Sequence, residues 1–159
     1  MTPHPSEAEQ LRAEIAAAAA RMIAQDGADY GSAKRKAAKQ ILGDAKIPAD
    51  VMPDNSEIET EVAIYNELFF GDSQPARLLH LRKLALRLME DLQQFNPFLC
   101  NAVLNGTAGE HTDIYLQLFS ESPKEVEIFL LNKNINFDVS ETAHFKSHVT
   151  KAVETVSFV

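Results

Sequence analysis

The sequence predicts an α+β fold, with a helical region over residues 1–95 and a small mixed β-sheet carrying one crossover helix over residues 96–159. Three observations carry this. Up to residue 95, apolar residues recur at three- and four-residue steps behind side-chain caps. From Pro97 onward that period gives way to short apolar runs bounded by Gly, Pro and polar turns. Between two of those runs stands Ser122-Pro123-Lys124-Glu125, which opens a helix.

The first helix starts at Ser6-Glu7-Ala8-Glu9, a capping box in which the Ser6 hydroxyl and the Glu9 carboxylate each accept from the other residue's amide. Leu11, Ile15, Ala18 and Met22 share its apolar face, the alanine run favours helix and close packing, and Gly27 stops it. Ser32 is expected to cap a second helix through about Leu42, with Lys34, Arg35, Lys36 and Lys39 on a solvated face. Residues 46–53, holding Pro48 and Pro53, read as a loop. Ser56-Glu57-Ile58-Glu59 is expected to cap a third helix that ends at Gly71. A fourth starts near Ser73, with Pro75 in its first turn. Leu78, Leu81, Ala85, Leu88, Leu92 and Phe95 step along it without exception. A second apolar row, Leu79, Leu84, Leu86 and Met89, predicts burial on more than one side and makes this the expected central helix.

Strands are expected at 98–104, 113–120, 135–139 and 153–158, with a helix at 123–133. The right-handed crossover rule predicts that the strands flanking that helix run parallel. The two regions are compatible with one compact domain overall.

The chain has 159 residues and 45% hydrophobic content, enough for a core without metal or disulfide support. Its longest apolar run is Ile15–Ala20, far short of the roughly 18 residues of a membrane span. The first residues carry no basic or apolar secretory pattern. Cys100 is the only cysteine, which excludes an intramolecular disulfide and a cysteine zinc cluster and suits a reduced cytoplasmic setting. A net charge of −8 argues against nucleic acid as a partner, although residues 34–46 hold a basic cluster.

The stretch Val103-Leu104-Asn105-Gly106-Thr107, followed by Thr112-Asp113-Ile114-Tyr115-Leu116, carries the most chemistry. A strand would end in Gly-Thr, a polar loop would follow, and a second strand would open on an acidic residue. A capped helix and a strand with Asp138 come next. This order over residues 98–139 resembles the core of the nucleotidyltransferase superfamily, the polymerase-β-like fold. There a strand ends in Gly-Ser, the next holds an Asp-hydrophobic-Asp pair, and a later strand adds a third carboxylate. A tight Gly-Ser turn lets backbone and hydroxyl approach nucleotide phosphates, and the carboxylates hold divalent ions that bridge them.

The resemblance implies that Gly106 and Thr107 cradle phosphate. It implies that Asp113 and Asp138 are the catalytic carboxylates and hold at most one Mg ion. Tyr115 stands where the second carboxylate of the pair belongs, and the loop before Asp113 is shorter than the family's. Reduced or absent catalysis with nucleotide binding is therefore the activity implied. His111, in the same loop, is a candidate proton donor or acceptor and nucleotide contact. The chain as a whole is also similar to a group of small proteobacterial proteins, some labelled as cell-wall amino-acid ligases. The Gly-Lys-Thr/Ser phosphate loop of such ligases is missing here.

Two further readings stand beside this one. His144 and His148, four apart, would share a helix face as zinc ligands do. The alternative function is a non-enzymatic interaction or regulatory module that binds a protein partner or a second copy through its helical half.

Overall fold

In the computed structural model, residues 5–143 and 152–158 are described, and the class is α+β. Helix α1 spans Glu7–Asp26. Its capping box forms as its sequence requires: Glu9 N donates to Ser6 Oγ at 3.2 Å and Ser6 N donates to Glu9 Oε2 at 2.6 Å. Gly27 closes it at φ 67°, where its amide reaches back to Ile23 O. Helix α2 spans Tyr30–Leu42. Its cap is Asp29, not Ser32: the Asp29 carboxylate, three residues earlier, accepts from Ser32 N at 2.9 Å. Helix α3 spans Asn55–Phe70. Its box is also displaced from the expected Ser56–Glu59 to Asp54–Glu57, with reciprocal bonds of 2.8 and 2.7 Å. Asp caps as well as Ser does, so the helix starts at the earlier competent pair.

Helix α4 spans Gln74–Asp91, and a 3-10 turn at Gln93–Phe95 follows it. The expectation that α4 is central and buried on more than one side is corrected. Only Leu81 and Ala85 are buried within it, whereas Leu79, Leu84 and Leu86 are exposed. The helix at the centre of the larger core is α1. It packs on α2, α3 and the 3-10 turn Ala49–Val51. Ile15, Ala16, Ala19 and Ala20 meet Ala33, Ala37 and Ala38 of α2 and Ile58 and Val62 of α3. Alanine faces let helix backbones approach closely, and that is how a helix with few large side chains becomes the hub.

The strands are shorter than the sequence suggests. Strand β1 is Phe98–Cys100, and residues 101–104, expected to continue it, fall in the short helix α5, Asn101–Asn105. Asn101 takes φ 59°, a left-handed conformation that Asn tolerates and that ends an extended run. Strand β2 is Tyr115–Gln117, so Asp113 precedes it instead of opening it. Helix α6, Pro123–Asn132, has the expected Ser122 cap and Pro123 in its first turn. Strands β3, Asp138–Ala143, and β4, Ala152–Ser157, pair antiparallel from Asp138 opposite Ser157 to Ala143 opposite Ala152.

The described strands therefore form two two-stranded sheets, β1-β2 and β3-β4, not one four-stranded mixed sheet. The segment that includes α6 joins strands of different sheets, so no parallel crossover forms around it. A parallel pair needs central strands long enough to be covered on both faces, and three-residue strands do not supply that surface.

The chain forms two units. The first holds residues 1–91 and 99–116, and the second holds 92–98 and 117–159. In the first, a smaller cluster of Leu81, Ala85, Val103 and Ala108 joins α4 to the segment after β1. In the second, Phe95 and Phe129 meet edge to face at 5.5 Å, and Val126 and Leu130 of α6 are buried. His144 and His148 lie outside the described residues. Among the described residues, no helix is long and apolar enough to cross a membrane.

Candidate functional site

Gly106 and Thr107 follow a helix and not a strand. Gly106 is the C-cap of α5, at φ 90°, and its amide donates to Ala102 O at 3.0 Å. Ala108 N donates to the same carbonyl at 3.2 Å. Thr107 N and Thr107 Oγ1 both donate to Asn105 Oδ1, at 3.0 and 2.6 Å. Gly109 N donates to Thr112 Oγ1 at 2.8 Å. Every amide from 106 to 109 thus has an acceptor inside the loop. A phosphate cradle needs such amides pointing at the ligand.

The carbonyls of the same turn point the other way, into side chains of α3 and α4. Gln74 Nε2 donates to Gly106 O at 3.0 Å and to Ala108 O at 2.8 Å. Asn66 Nδ2 donates to Thr107 O at 3.1 Å, and Arg82 donates to Val103 O and Leu104 O at 2.9 and 3.0 Å. Asn105 Nδ2 donates to Glu59 Oε1 at 2.7 Å. Thr107 and Asn66 are both buried. Nearby, burial pushes the Tyr30 phenol above its ordinary value, the Glu59 charge pushes it the same way, and hydrogen bonding with Thr107 works against them. The turn is a braced structural joint, fixed by polar side chains from the helices on which it lies.

His111 has a packing role. A Cβ built on Gly27 would come within 2.7 Å of His111 Cβ, so the imidazole's stem sits against the glycine that closes α1. Asp113 is exposed in the stretch before β2. Asp138 is the first residue of β3 and belongs to the second unit, whereas Gly106, Thr107, His111 and Asp113 belong to the first. Within the first unit the structure brings Gly106 and Thr107 onto one turn and sets His111 against Gly27. Among the described residues, no group of three or more His, Cys, Asp or Glu side chains is placed to hold a metal ion.

Sequence reasoning missed the bracing residues. Asn66 carried a usable signal: it continues the buried row of Ile58 and Val62 at a four-residue step, and a buried amide on an apolar face needs a partner. Gln74 and Arg82 carried none, because exposed polar residues on a helix are ordinary.

A second feature comes from what the helices leave uncovered. Ile64, Leu68 and Phe69 of α3 are 44, 71 and 65% exposed. Leu79 and Leu86 of α4 are 54 and 57% exposed. At about 100° per residue, Ile64 and Leu68 lie on the side of α3 turned away from Ile58 and Val62, and Leu79 and Leu86 are turned away from Leu81 and Ala85.

Comparison with known protein families, curated proteins and solved structures finds no match to this chain.

Proposed function

We propose that the chain is a non-enzymatic protein-interaction module whose binding surface is the outer side of α3 and α4. One observation carries this reading: both helices present large aliphatic residues on the side opposite the core. The second apolar row of α4 should be buried by its pattern, yet among the described residues Leu79, Leu84 and Leu86 of that row are exposed. Apolar rows that a fold leaves uncovered mark surfaces that another molecule covers. The lone Cys100 is consistent with a reducing cytoplasm as the place where this happens.

The nucleotidyltransferase-like reading competes with this one for the same residues. It rests on the order of Gly106-Thr107, Asp113 and Asp138. The engaged amides of residues 106–109 leave that turn without free backbone donors for a phosphate, so the geometry favours the interaction reading. Thermal-shift titration with each nucleoside triphosphate and Mg distinguishes the two. The expected result is no change in melting temperature. A nucleotide-dependent rise that disappears in Asp113→Ala would overturn the interaction reading.

A further inference from the structure

We infer that the surface formed by α3 and α4 pairs with a second copy of this chain, α3 of one copy lying on α4 of the other. This rests on the interaction reading above and names the partner. The argument is charge complementarity. Helix α3 has no basic residue, and of its four glutamates Glu57 is held by Arg12 and Glu59 bonds Asn105, so Glu61 and Glu67 are the acids it offers a partner. Helix α4 carries Arg77, Arg82, Lys83 and Arg87 before its acidic end.

The charges sit among the uncovered aliphatic residues. Glu67 lies one turn from Ile64 on the outer side of α3, at the edge of the row that Ile64 and Leu68 form. Lys83 stands between Leu79 and Leu86 on the outer side of α4, at steps of four and three. Glu67 and Lys83 are both exposed, and among the described residues neither has an ion-pair partner. One face is aliphatic with an acid along its edge, and the other is aliphatic with a base along its edge.

The two rows cannot cover each other within one chain, because each lies on the side of its helix opposite the buried row. A two-fold axis resolves this. It sets α3 of each copy against α4 of the other, so both rows are buried twice and the Glu67–Lys83 contact forms twice. An unrelated partner would need only one such face. The presence of two complementary faces on consecutive helices is what self-pairing requires. The chain's net charge of −8 opposes association at long range, and the exposed neighbours Lys83 and Arg87 of α4 are the local exception that admits an acidic partner.

Sedimentation equilibrium of the full chain from about 1 to 200 µM tests this, since a standard-sized interface with μM or better affinity is populated in that range. A dimer is expected for the wild type. Leu79→Glu is expected to weaken it by at least about a hundredfold, as central apolar anchors do. Its melting temperature at low concentration checks that the monomer folds.

Glu67→Lys and Lys83→Glu should each weaken the dimer by about tenfold, because each reversal acts at two symmetry-related contacts. The double variant Glu67→Lys/Lys83→Glu restores the pairing of opposite charges and should return to within about threefold of wild type. A wild-type monomer at every concentration overturns the inference. A double variant no tighter than the single ones also overturns it. Neither result resembles failure of the interaction reading, which shows as an Asp113-dependent response to nucleotide.

Discussion

Helices α1 and α4 are close in length, 20 and 18 residues, yet they use apolar surface in opposite ways. Helix α1 is alanine-rich, with a modest aliphatic row, and it buries four side chains between three neighbouring elements. Helix α4 has six leucines and the cleanest helical periodicity in the chain. It buries only Leu81 and Ala85, and three of its leucines face outward. Hydrophobic content therefore does not rank these helices by burial. Neighbours do. Alanine faces let α2 and α3 close around α1, whereas α4 has one packed side, against Val103 and Ala108.

The sharpest way to break this comparison is to deepen the hole at the hub. Ile15 is fully buried among small side chains that cannot collapse inward to replace it. Ile15→Ala is expected to cost about 3 kcal/mol, from lost transfer energy and an unfilled cavity. Urea denaturation measures it. A loss below about 1 kcal/mol, the range of a merely partly buried site, would mean that α1 is not the hub.

Asn66 tests the joint between the two clusters of the first unit. It holds Thr107 O from a buried position, so Asn66→Ala leaves a carbonyl without its donor in a site closed to water. About 2 kcal/mol of destabilisation is expected. Asn66→Asp should be as damaging, because a carboxylate cannot donate to that carbonyl. A variant as stable as wild type would show that the turn at Gly106–Thr107 does not depend on α3, and would reopen it as a mobile ligand loop.

These two sites also show what the sequence made legible. The helices were readable because each carries a local signal: the Ser6 box, Gly27, Pro75, and Ser122 with Pro123. The cap positions of α2 and α3 were missed by one short step, since Asp29 and Asp54 compete with Ser32 and Ser56 on nearly equal terms. Residues 98–104 were misread because a short apolar run has no period of its own. Whether it stays extended was decided by Asn101 entering the left-handed region. The reading of Gly106-Thr107 was drawn on the same run. A Gly-Thr pair after a strand can present amides to a phosphate, but after a helical turn the same pair becomes a C-cap whose amides are turned inward. The bracing by Gln74 and Arg82 was not readable, because it depends on which helix the turn happens to lie against.

A smaller effect separates the hub's edge from its centre. Arg12 of α1 grips Glu57 of α3 with a two-pronged contact of 2.6 and 2.7 Å. That guanidinium contact, together with the Asp54 amide, holds the Glu57 carboxyl below its ordinary value. A carboxylate with a lowered folded value stabilises the fold above its unfolded value of 4.5 and loses that contribution as pH falls through the lower folded value. Melting temperatures between pH 7 and 3 should therefore drop less steeply in Glu57→Gln than in wild type. Both partners are partly exposed, so solvent screens the pair, and the difference should be smaller than either core effect. Parallel pH curves for the two proteins would show that α1 and α3 are joined by packing alone.

The smallest effect falls on α4, and it depends on concentration. Leu86 is more than half exposed, so Leu86→Ala removes little buried surface from the isolated chain. At about 1 µM its unfolding free energy should change by no more than about 0.5 kcal/mol, whereas Leu81→Ala, a few residues earlier and on the opposite side of the helix, should lose about 2 kcal/mol or more. At about 100 µM the two should converge, because wild type then gains stability from a second copy and Leu86→Ala does not. Leu81→Ala keeps the outer row and should retain that gain. A Leu86→Ala penalty already present at the lower concentration would place this leucine in the chain's own core and dissolve the contrast between α1 and α4. A penalty that never appears would keep the contrast and leave the outer row of α4 to a partner other than the chain itself.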